Sequence, residues 1–440
     1  MNDEGGDGAA DKKMSVGGAV FLGVGAMVGA GIFALLGEAG ALAGSAVWVS
    51  FLIGGIIAAL LGYAISKLSV TYPSKGGLVS YLHRGFGDSH LTGIASWLFY
   101  LAGIIVTAMV ALTFGSYAQE LFLADDASDR WIKVFATVIV VAMALVNVVG
   151  ADAVGKVQSL IVVILLAVFA VFIVATFTEV DLDFIAPSTY PSPTKIVAAV
   201  ALTFFAYLGF AVISTTAESI DRPARSVPRA TYIALAIASI LYILISIGVY
   251  GTLSVDDVIA AGDTALAEAA KPALGDAGFT MMAIAALLAT SSSVNANLFA
   301  ASGITANLAE TRQFPPFFGG TARFLGSRGA AISVAAVLVL ALFFDVSTIA
   351  SIGSAVALAI FALVGVAGIK LREQTGSKLV VLIAAVAGTL VVLTLFCIDT
   401  AQNEPRVFVA MLVIFVLTVI FDVAWKRQRG ALAVAGTASP

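Results

Sequence analysis

Two apolar stretches of the sequence contain residues that would interrupt an α-helix. The first holds three glycines within seven residues, Gly25, Gly29 and Gly31. The second places Gly209 between an aromatic run and the hydroxyl residues at 214–216, which could hydrogen-bond freed backbone groups. Each glycine in a helix interior costs up to about 1 kcal/mol relative to alanine. In lipid, unpartnered backbone groups persist only where they line a cavity or bind a ligand.

The chemistry that such an interruption offers is that of helix ends. A half-helix that starts near Ala30 would direct N–H groups with partial positive charge at the gap, which suits a carboxylate. Carbonyls at the C-terminal ends of the preceding half-helices suit an ammonium group or a small cation. A small zwitterion matches both ends, and no charged side chain stands at either break. Close packing against a neighbouring helix is the alternative explanation for the glycines.

The elements that must position these breaks are membrane helices. The chain has 440 residues, of which 60% are hydrophobic and 11% charged. Soluble domains are roughly 45–50% apolar and 25% charged. The apolar runs are long and lack the period-two alternation of membrane strands. The composition therefore predicts an all-α membrane protein.

A hydrophobic stretch of about 20 residues crosses the hydrocarbon core as a helix. Twelve such stretches lie at 15–44, 46–70, 92–122, 131–150, 154–177, 195–219, 230–252, 278–308, 330–345, 347–369, 379–397 and 406–425. The two interrupted stretches, the first and the sixth, open two consecutive five-helix sets of opposite orientation. Interrupted segments at matching places in inverted halves are typical of a transporter binding site.

This arrangement predicts a division of the chain into five parts. They are a disordered cytoplasmic tail at 1–14, a first inverted repeat at 15–178, a second at 194–370, two extra helices at 377–426 and a second cytoplasmic tail at 427–440. With the N-terminus inside, twelve spans place 18 of the 23 Lys and Arg residues on the inner side. That bias predicts that both termini are cytoplasmic in a multi-pass cell-membrane protein.

Several classes of function lack their signatures in the sequence. Cys397 is the only cysteine, so no intramolecular disulfide can form, and His83 and His90 stand apart from any cysteine pair. We expect no metal site, no cofactor and no nucleic-acid partner. The sequence has no Walker A motif and no nucleophile–base constellation, so we predict neither an ATP-driven pump nor an enzyme.

The interrupted segments also carry a family resemblance. Gly25-Ala26-Met27-Val28-Gly29-Ala30-Gly31-Ile32-Phe33 resembles the helix-1 signature of the amino acid–polyamine–organocation (APC) superfamily. The stretch from Phe204 to Ala230 resembles its helix 6 to helix 7 segment, and Ser291-Ser292-Ser293-Val294-Asn295-Ala296 resembles its helix 8. The similarity runs from about 15 to 425 and looks closest to archaeal proton-coupled amino acid transporters.

The resemblance implies a LeuT-type fold: a five-plus-five inverted-repeat core with helices 1 and 6 discontinuous, plus two C-terminal helices. It implies a permease that moves amino acids across the bilayer by alternating access. The N–H groups of Gly29, Ala30 and Gly31 would hold the substrate carboxylate. The amine would be held by the carbonyls of Met27, Phe205 and Leu208, with the Phe205 ring as a gate and Tyr207 nearby. An exchanger, or an ion permease or channel on the same scaffold, is the alternative function.

Two positions depart from the relatives' pattern. Ala211 stands where some relatives selective for cationic substrates have an acid, which favours neutral, broad-range amino acids. Leu165 stands where the proton-coupled relatives have a helix-5 lysine. The remaining candidate ion site consists of the carbonyls of Gly25 and Val28 with the hydroxyls of Ser291 and Ser292, although serines in membrane helices also bond to their own backbone. Sodium coupling, proton coupling by another route, and uncoupled exchange all stay open.

Glu38 is an acidic residue near the outer end of helix 1. The sequence leaves open whether it is simply exposed to water or acts in gating or proton entry.

Overall fold

The computed structural model describes residues 14–74, 76–123, 128–149, 154–322 and 326–437. The predicted N-terminal tail lies outside these ranges, apart from Met14, and so do the last three residues of the C-terminal tail. Within the described residues the chain is helical throughout, apart from connections and one two-stranded antiparallel ribbon, β1 (Thr321–Ala322) with β2 (Gly326–Ser327).

The first half of the chain forms eight α-helices. They are α1 (Val16–Ala30), α2 (Ile32–Ala43), α3 (Val47–Thr71), α4 (Gly77–Phe86), α5 (His90–Phe122), α6 (Asp129–Val149), α7 (Val154–Thr176) and α8 (Pro193–Ala206). Short 3-10 turns occur at Gly44–Ala46 and Pro187–Thr189, and α8 is followed by an 11-residue 3-10 helix, Leu208–Glu218.

The second half forms nine more. They are α9 (Pro223–Thr252), α10 (Val255–Ala261), α11 (Ala265–Glu268), α12 (Lys271–Glu310), α13 (Arg328–Phe343), α14 (Val346–Lys370), α15 (Arg372–Thr375), α16 (Leu379–Asn403) and α17 (Pro405–Thr437). Further 3-10 turns occur at Gly262–Thr264 and Pro316–Gly319. A kink divides α12 at Gly275, whose φ of 63° places it in the left-handed region that glycine adopts without strain.

All twelve apolar stretches are helical in the structure. Ten helical segments of the described chain are long and apolar enough to cross a bilayer, and two shorter apolar helices, Val16–Gly29 and Arg328–Phe343, accompany them. The twelve-span, inverted-repeat arrangement stays a prediction. Several helices run past the apolar stretch that predicted them; α17, for example, continues to Thr437. Hydropathy marks where a helix meets water, whereas capping and chain breakers decide where it ends.

Burial separates an inner from an outer set of helices. In the apolar windows of α5 and α14, 72% of residues are buried within the protein, against 22% for α6 and 17% for α17. The windows of α7 and α16 are also only 28% buried, and exposed apolar side chains on them, such as Val174 and Val380, have no protein partner to cover them in the described chain. These surfaces suit contact with lipid, and α5 and α14 form a packed centre that α2 contacts, with α8 packed on α14.

We call the side of the bundle at which α1 begins the N-terminal face. We keep the name helix 1 for the first apolar stretch (α1 and α2) and helix 6 for the sixth (α8 and the 3-10 helix that follows it). On the N-terminal face, Met14 N–H donates to the Ser219 carbonyl at 2.8 Å, so the start of helix 1 is paired with the end of helix 6. The end of α17 packs on the same face, where buried Asp422 lies 2.5 Å from His90 Nδ1 and 3.5 Å from Lys426 Nζ. These contacts tie the last helix to the start of α5.

A second set of contacts extends this attachment. The Trp425 indole N–H donates to the Arg312 carbonyl at 3.0 Å, and Arg429 forms an ion pair with Asp88. Hydrogen bonding from Arg429 lowers the pKa of the Asp88 carboxyl, and burial only partly offsets this effect. The N-terminal face is thus held by carboxylates that face cations.

Candidate functional site

Helix 1 is interrupted at Gly31, the single residue between α1 and α2. Its dihedral angles, φ −87° and ψ −64°, remain in the right-handed helical region. Gly31 N–H donates to the Met27 carbonyl at 3.0 Å, and Leu35 N–H donates to the Gly31 carbonyl at 3.0 Å. The interruption is therefore a bend, narrower than the unwound gap that the sequence suggests.

The bend decides which backbone donors are available. Gly29 and Ala30 lie inside α1, and Gly31 N–H is engaged with Met27, so the three groups that the resemblance assigns to a carboxylate take part in the helix here. A helix that begins at Ile32 leaves its own first N–H groups, those of Ile32, Phe33 and Ala34, without partners inside that helix. The positive end of the half-helix therefore lies a few residues beyond the predicted position.

Helix 6 changes its winding at Tyr207. Tyr207 N–H donates to the Phe204 carbonyl at 2.9 Å, and Phe210 N–H donates to the Tyr207 carbonyl at 3.0 Å, so i→i+3 bonds replace the α-helical ladder. Runs of 3-10 helix longer than three or four residues are uncommon. Three hydroxyls further along bond to carbonyls three residues back at 2.7–2.8 Å: Ser214, Thr215 and Thr216. The hydroxyl run thus bonds to the backbone, as its position after the glycine suggests.

Glycines allow the two helices to touch at their interruptions. A Cβ atom on Gly31 would lie 2.7 Å from Ala206 Cβ and 2.9 Å from its Cα. A Cβ atom on Gly209 would lie 2.5 Å from Met27 N. Close packing therefore accounts for two of the glycines, and it brings the start of α2 against the end of α8. A Gly31→Val change would push the backbones apart, so it is not a clean probe of ligand binding.

The two aromatic residues at the end of α8 point to different neighbours. Phe205 is 4% exposed, and its ring tip lies 2.5 Å from the position of a Cβ on Gly353 of α14. Tyr207 is fully buried and donates its hydroxyl to the Phe51 carbonyl of α3 at 3.0 Å. We call the contact between the interruptions of helices 1 and 6 the crossing. Phe205 reaches from it towards α14 in the packed centre, whereas Tyr207 is tied to α3.

Tyr242 is a residue of this region that sequence reasoning missed. Its hydroxyl donates to the Ala206 carbonyl at 3.2 Å, and its ring lies 5.1 Å from that of Tyr207. It therefore satisfies a carbonyl that the end of α8 leaves without a helical partner. Nothing in the sequence distinguishes this tyrosine from the other aromatic residues of α9.

The candidate ion-site residues lie on α1 and α12. Gly29 faces Ala289 and Ser293 of α12, since a Cβ on Gly29 would lie 3.4 Å from the Ala289 carbonyl and 3.5 Å from Ser293 Cβ. Ser291 points elsewhere, because its hydroxyl donates to the Leu288 carbonyl at 3.1 Å. Ser292 is half-buried beside it. The structure therefore brings Ser293 to helix 1 together with Ala289, one helical turn before it, and nothing in the sequence distinguishes Ser293 from the two serines that precede it.

The other residues that the sequence analysis singled out lie on three different helical segments. Gly25 and Val28 lie within α1, Leu208 begins the 3-10 helix and is half-buried, and Leu165 is buried on α7. Within the described part of the chain, no group of three or more His, Cys, Asp or Glu residues could hold a metal ion.

Comparisons with known proteins agree with this architecture. The model of the amino acid permease family matches residues 15–421. The inner membrane transport protein YbaT of Escherichia coli is 32% identical over 429 residues, which is 98% of this chain and 99% of YbaT. An uncharacterised protein of Methanocaldococcus jannaschii is 31% identical over 95% of this chain and 96% of its own.

A more distant relative is the serine/threonine exchanger SteT of Bacillus subtilis, 26% identical over 68% of each chain. These relatives are named as transporters or are uncharacterised, and none of the three is named as an enzyme. The chain belongs to the amino acid permease family of the APC superfamily and is a multi-pass α-helical membrane protein.

Proposed function

We propose that the protein is a secondary active transporter that moves neutral amino acids across the cell membrane by alternating access, with both termini cytoplasmic. The observation that carries this proposal is the contact between the two helix interruptions, with Gly31 against Ala206 and Gly209 against Met27. A binding site between two discontinuous helices is the arrangement that many transporter folds use. The N-terminal face is then the cytoplasmic face, and the opposite face is the outer face.

The bend at Gly31 offers both halves of a zwitterion site. One hydrogen bond, from Gly31 N–H to the Met27 carbonyl, closes the bend. Breaking this hydrogen bond would free the Gly31 N–H for the substrate carboxylate. That donor lies beside Gly29 and Ala30 and close to the first N–H groups of α2. Breaking the bond would also release the Met27 carbonyl, which with the carbonyls of Phe205 and Leu208 suits the substrate amine.

The substrate side chain would meet an uncharged wall. The Phe205 ring would serve as an aromatic cover, Tyr207 lies nearby along the chain and is tied to α3, and Ala211 is the neutral residue one 3-10 turn beyond Leu208. A cationic side chain would find no carboxylate at these positions. We therefore infer a preference for neutral amino acids over a broad size range.

Coupling to an ion is proposed with two candidates, sodium and protons. A sodium ion would use the carbonyls of Gly25 and Val28 with hydroxyls of α12, among which Ser293 joins Ser291 and Ser292. Exchange is a second candidate mode, because SteT is named as a serine/threonine exchanger. Uptake into proteoliposomes under imposed sodium or pH gradients separates the two coupled modes from exchange.

The proposed site is tested by a pair of adjacent substitutions. Phe205→Leu removes the ring that lies across the crossing, and we expect uptake of radiolabelled neutral amino acids to fall at least about tenfold, the equivalent of about 1.4 kcal/mol of lost binding. Phe204→Leu is the matched control, because Phe204 is fully buried and packs on Phe361 at 5.5 Å instead. Equal losses in two monodisperse variants would contradict the assignment of Phe205.

A further inference from the structure

Three carboxyl groups meet where the end of helix 1 reaches the outer face. Glu38 of α2 lies beside Ser347 of α14 and interacts electrostatically with Asp263 and Asp345. Asp263 accepts a hydrogen bond from the Ser116 hydroxyl at 2.8 Å. Asp345 caps α14 by accepting from Thr348 N–H at 2.7 Å. The cluster thus joins helix 1, the Gly262–Thr264 turn, α5 and α14.

The end of helix 1 is covered in this structure. The Gly262–Thr264 turn packs directly on α2, because a Cβ on Gly37 would lie 2.6 Å from the Gly262 carbonyl oxygen. The Ser116–Asp263 hydrogen bond fastens the same turn to α5, and Glu38 of α2 faces Ser347 at the start of α14. We call α10, the Gly262–Thr264 turn and α11 the outer lid, and the carboxyl cluster lies at the seam between this lid and helix 1.

No cation balances the cluster within the described residues, since none of its three carboxyl groups forms an ion pair there. The other charged or titratable groups on the elements around the seam are mostly acidic. They are Tyr117 and Glu120 on α5, Lys195 at the start of α8, Tyr250 on α9, Asp256 and Asp257 on α10, Glu268 on α11, Lys271 and Asp276 on α12, Glu404 before α17 and Arg406 at its start. Lys271 is paired with Glu268 at 2.8 Å. Three carboxylates brought together without a cation repel one another.

A buried hydroxyl beside the cluster also lacks a partner. Tyr117 is fully buried, its ring packs edge-on against Phe33 of α2 at 5.8 Å, and it interacts electrostatically with Asp263. Its hydroxyl forms no hydrogen bond within the described chain. An unsatisfied buried hydroxyl costs about 1–3 kcal/mol, so this hydroxyl favours any rearrangement of the seam that gives it a hydrogen-bond partner. A protonated carboxyl that changes its hydrogen bonding can serve as that partner.

We propose that Glu38, Asp263 and Asp345 form a proton-binding site whose protonation allows the outer lid to close on helix 1. The proposal rests on the proposed transport function and adds to it a pH-dependent outer gate that does not use the helix-5 position occupied by Leu165. A proton taken up from the outer side neutralises one carboxylate as the lid closes. The same proton is released when the seam separates and water again surrounds the acids.

The electrostatics of Asp263 agree in sign with this scheme. Burial raises the pKa of Asp263 from its ordinary 3.8 to about 6, the Ser116 hydrogen bond partly opposes the rise, and Asp345 adds to it. With the lid open, the carboxyl would return towards its ordinary pKa. The closed form is therefore fully favoured below about pH 4, and it loses that advantage as the pH rises through about 6.

The test measures lid closure without any substrate. In a Cys397→Ala background, spin labels at Ala41→Cys on α2 and Ile259→Cys on α10 of the lid, both exposed positions, report the distance across the seam by dipolar electron paramagnetic resonance. We expect the closed-to-open ratio to fall at least about tenfold between pH 5 and pH 7.5, the equivalent of one pKa unit of coupling. Asp263→Asn and Glu38→Gln should each flatten this dependence and favour the closed distance at both pH values.

Asp256→Asn is the matched control, since Asp256 is an exposed acid of the same lid, and it should keep the parent's pH dependence. An unchanged pH dependence in both Asp263→Asn and Glu38→Gln, or none in the parent, would overturn the proposal. If Asp263→Asn does not fold, Glu38→Gln alone decides. Because the readout needs no amino acid, a pH-dependent lid in a protein that takes up no amino acid would count against the transport function only.

Discussion

The two faces of the bundle hold their carboxylates in opposite ways. On the N-terminal face, Asp422 lies between His90 and Lys426, and Asp88 is paired with Arg429. On the opposite face, the acids at the end of helix 1 meet without a cation in the described chain. The pKa values reflect this contrast: hydrogen bonding from Arg429 lowers that of Asp88, whereas burial raises that of Asp263.

This difference indicates different roles for the two faces. Removing a buried carboxylate that is paired and hydrogen-bonded strongly destabilises the folded protein. The α17–α5 contact therefore acts as a permanent attachment. Neighbouring carboxylates repel one another until one of them is protonated, so the stability of the closed outer seam depends on pH. If the comparison holds, changes on the N-terminal face should affect stability, and changes at the outer seam should affect the balance between conformations.

The largest effect is expected from Asp422→Asn. Asp422 is 1% exposed, and its loss leaves the Lys426 ammonium, itself mostly buried, without a counter-charge. Breaking a buried pair by removing one partner costs about 3 kcal/mol or more. Thermal unfolding in detergent should show a clearly lower midpoint, whereas the exposed Asp256→Asn variant should melt like the parent. Parent-like melting of Asp422→Asn would mean that the attachment is not what holds α17.

A smaller loss is expected from Gly93→Ala on α5. A Cβ at this position would overlap an Asp422 carboxylate oxygen, so the Asp422 side chain must move away from His90 and Lys426. Forcing extra atoms into a packed site costs about 1–3 kcal/mol. Gly103→Ala is the control on the same helix, because a Cβ there has no atom within 4 Å. We expect Gly93→Ala to lower the unfolding midpoint and Gly103→Ala to leave it unchanged or higher; the reverse order would remove Gly93 from the attachment.

The sequence predicted the large features of this molecule because lipid imposes simple rules. An apolar run of about 20 residues has to be helical, so all twelve stretches, including the short one at 330–345, are found as helices. Glycine spacing also located the two interruptions to within a few residues of Gly31 and Leu208. These features depend on local composition, which a single sequence displays.

What the sequence could not predict depends on the partner of each residue. Spaced glycines predict either a gap or a close contact, and only the position of Ala206 shows that Gly31 is in close contact. The three consecutive serines at 291–293 are equivalent in type, and only the rotation of α12 about its axis selects Ser293 for the side towards helix 1. The Asp422 network joins residues more than 300 positions apart, a separation at which local pattern carries no information.

The smallest effect is expected where the N-terminal face is exposed to water. Arg429 and Asp88 are 32% and 43% exposed as side chains, so their ion pair should contribute only about 0.2–1 kcal/mol. Because the folded pKa of Asp88 is lowered, this contribution is present above its ordinary pKa and is lost as the pH falls below about 4. Arg429→Gln should therefore lower the unfolding midpoint slightly at pH 7, and added salt should remove the difference. A loss as large as that of Asp422→Asn would show that the exposed pair, and not the buried one, secures α17, and the contrast between the two faces would then rest on Asp88.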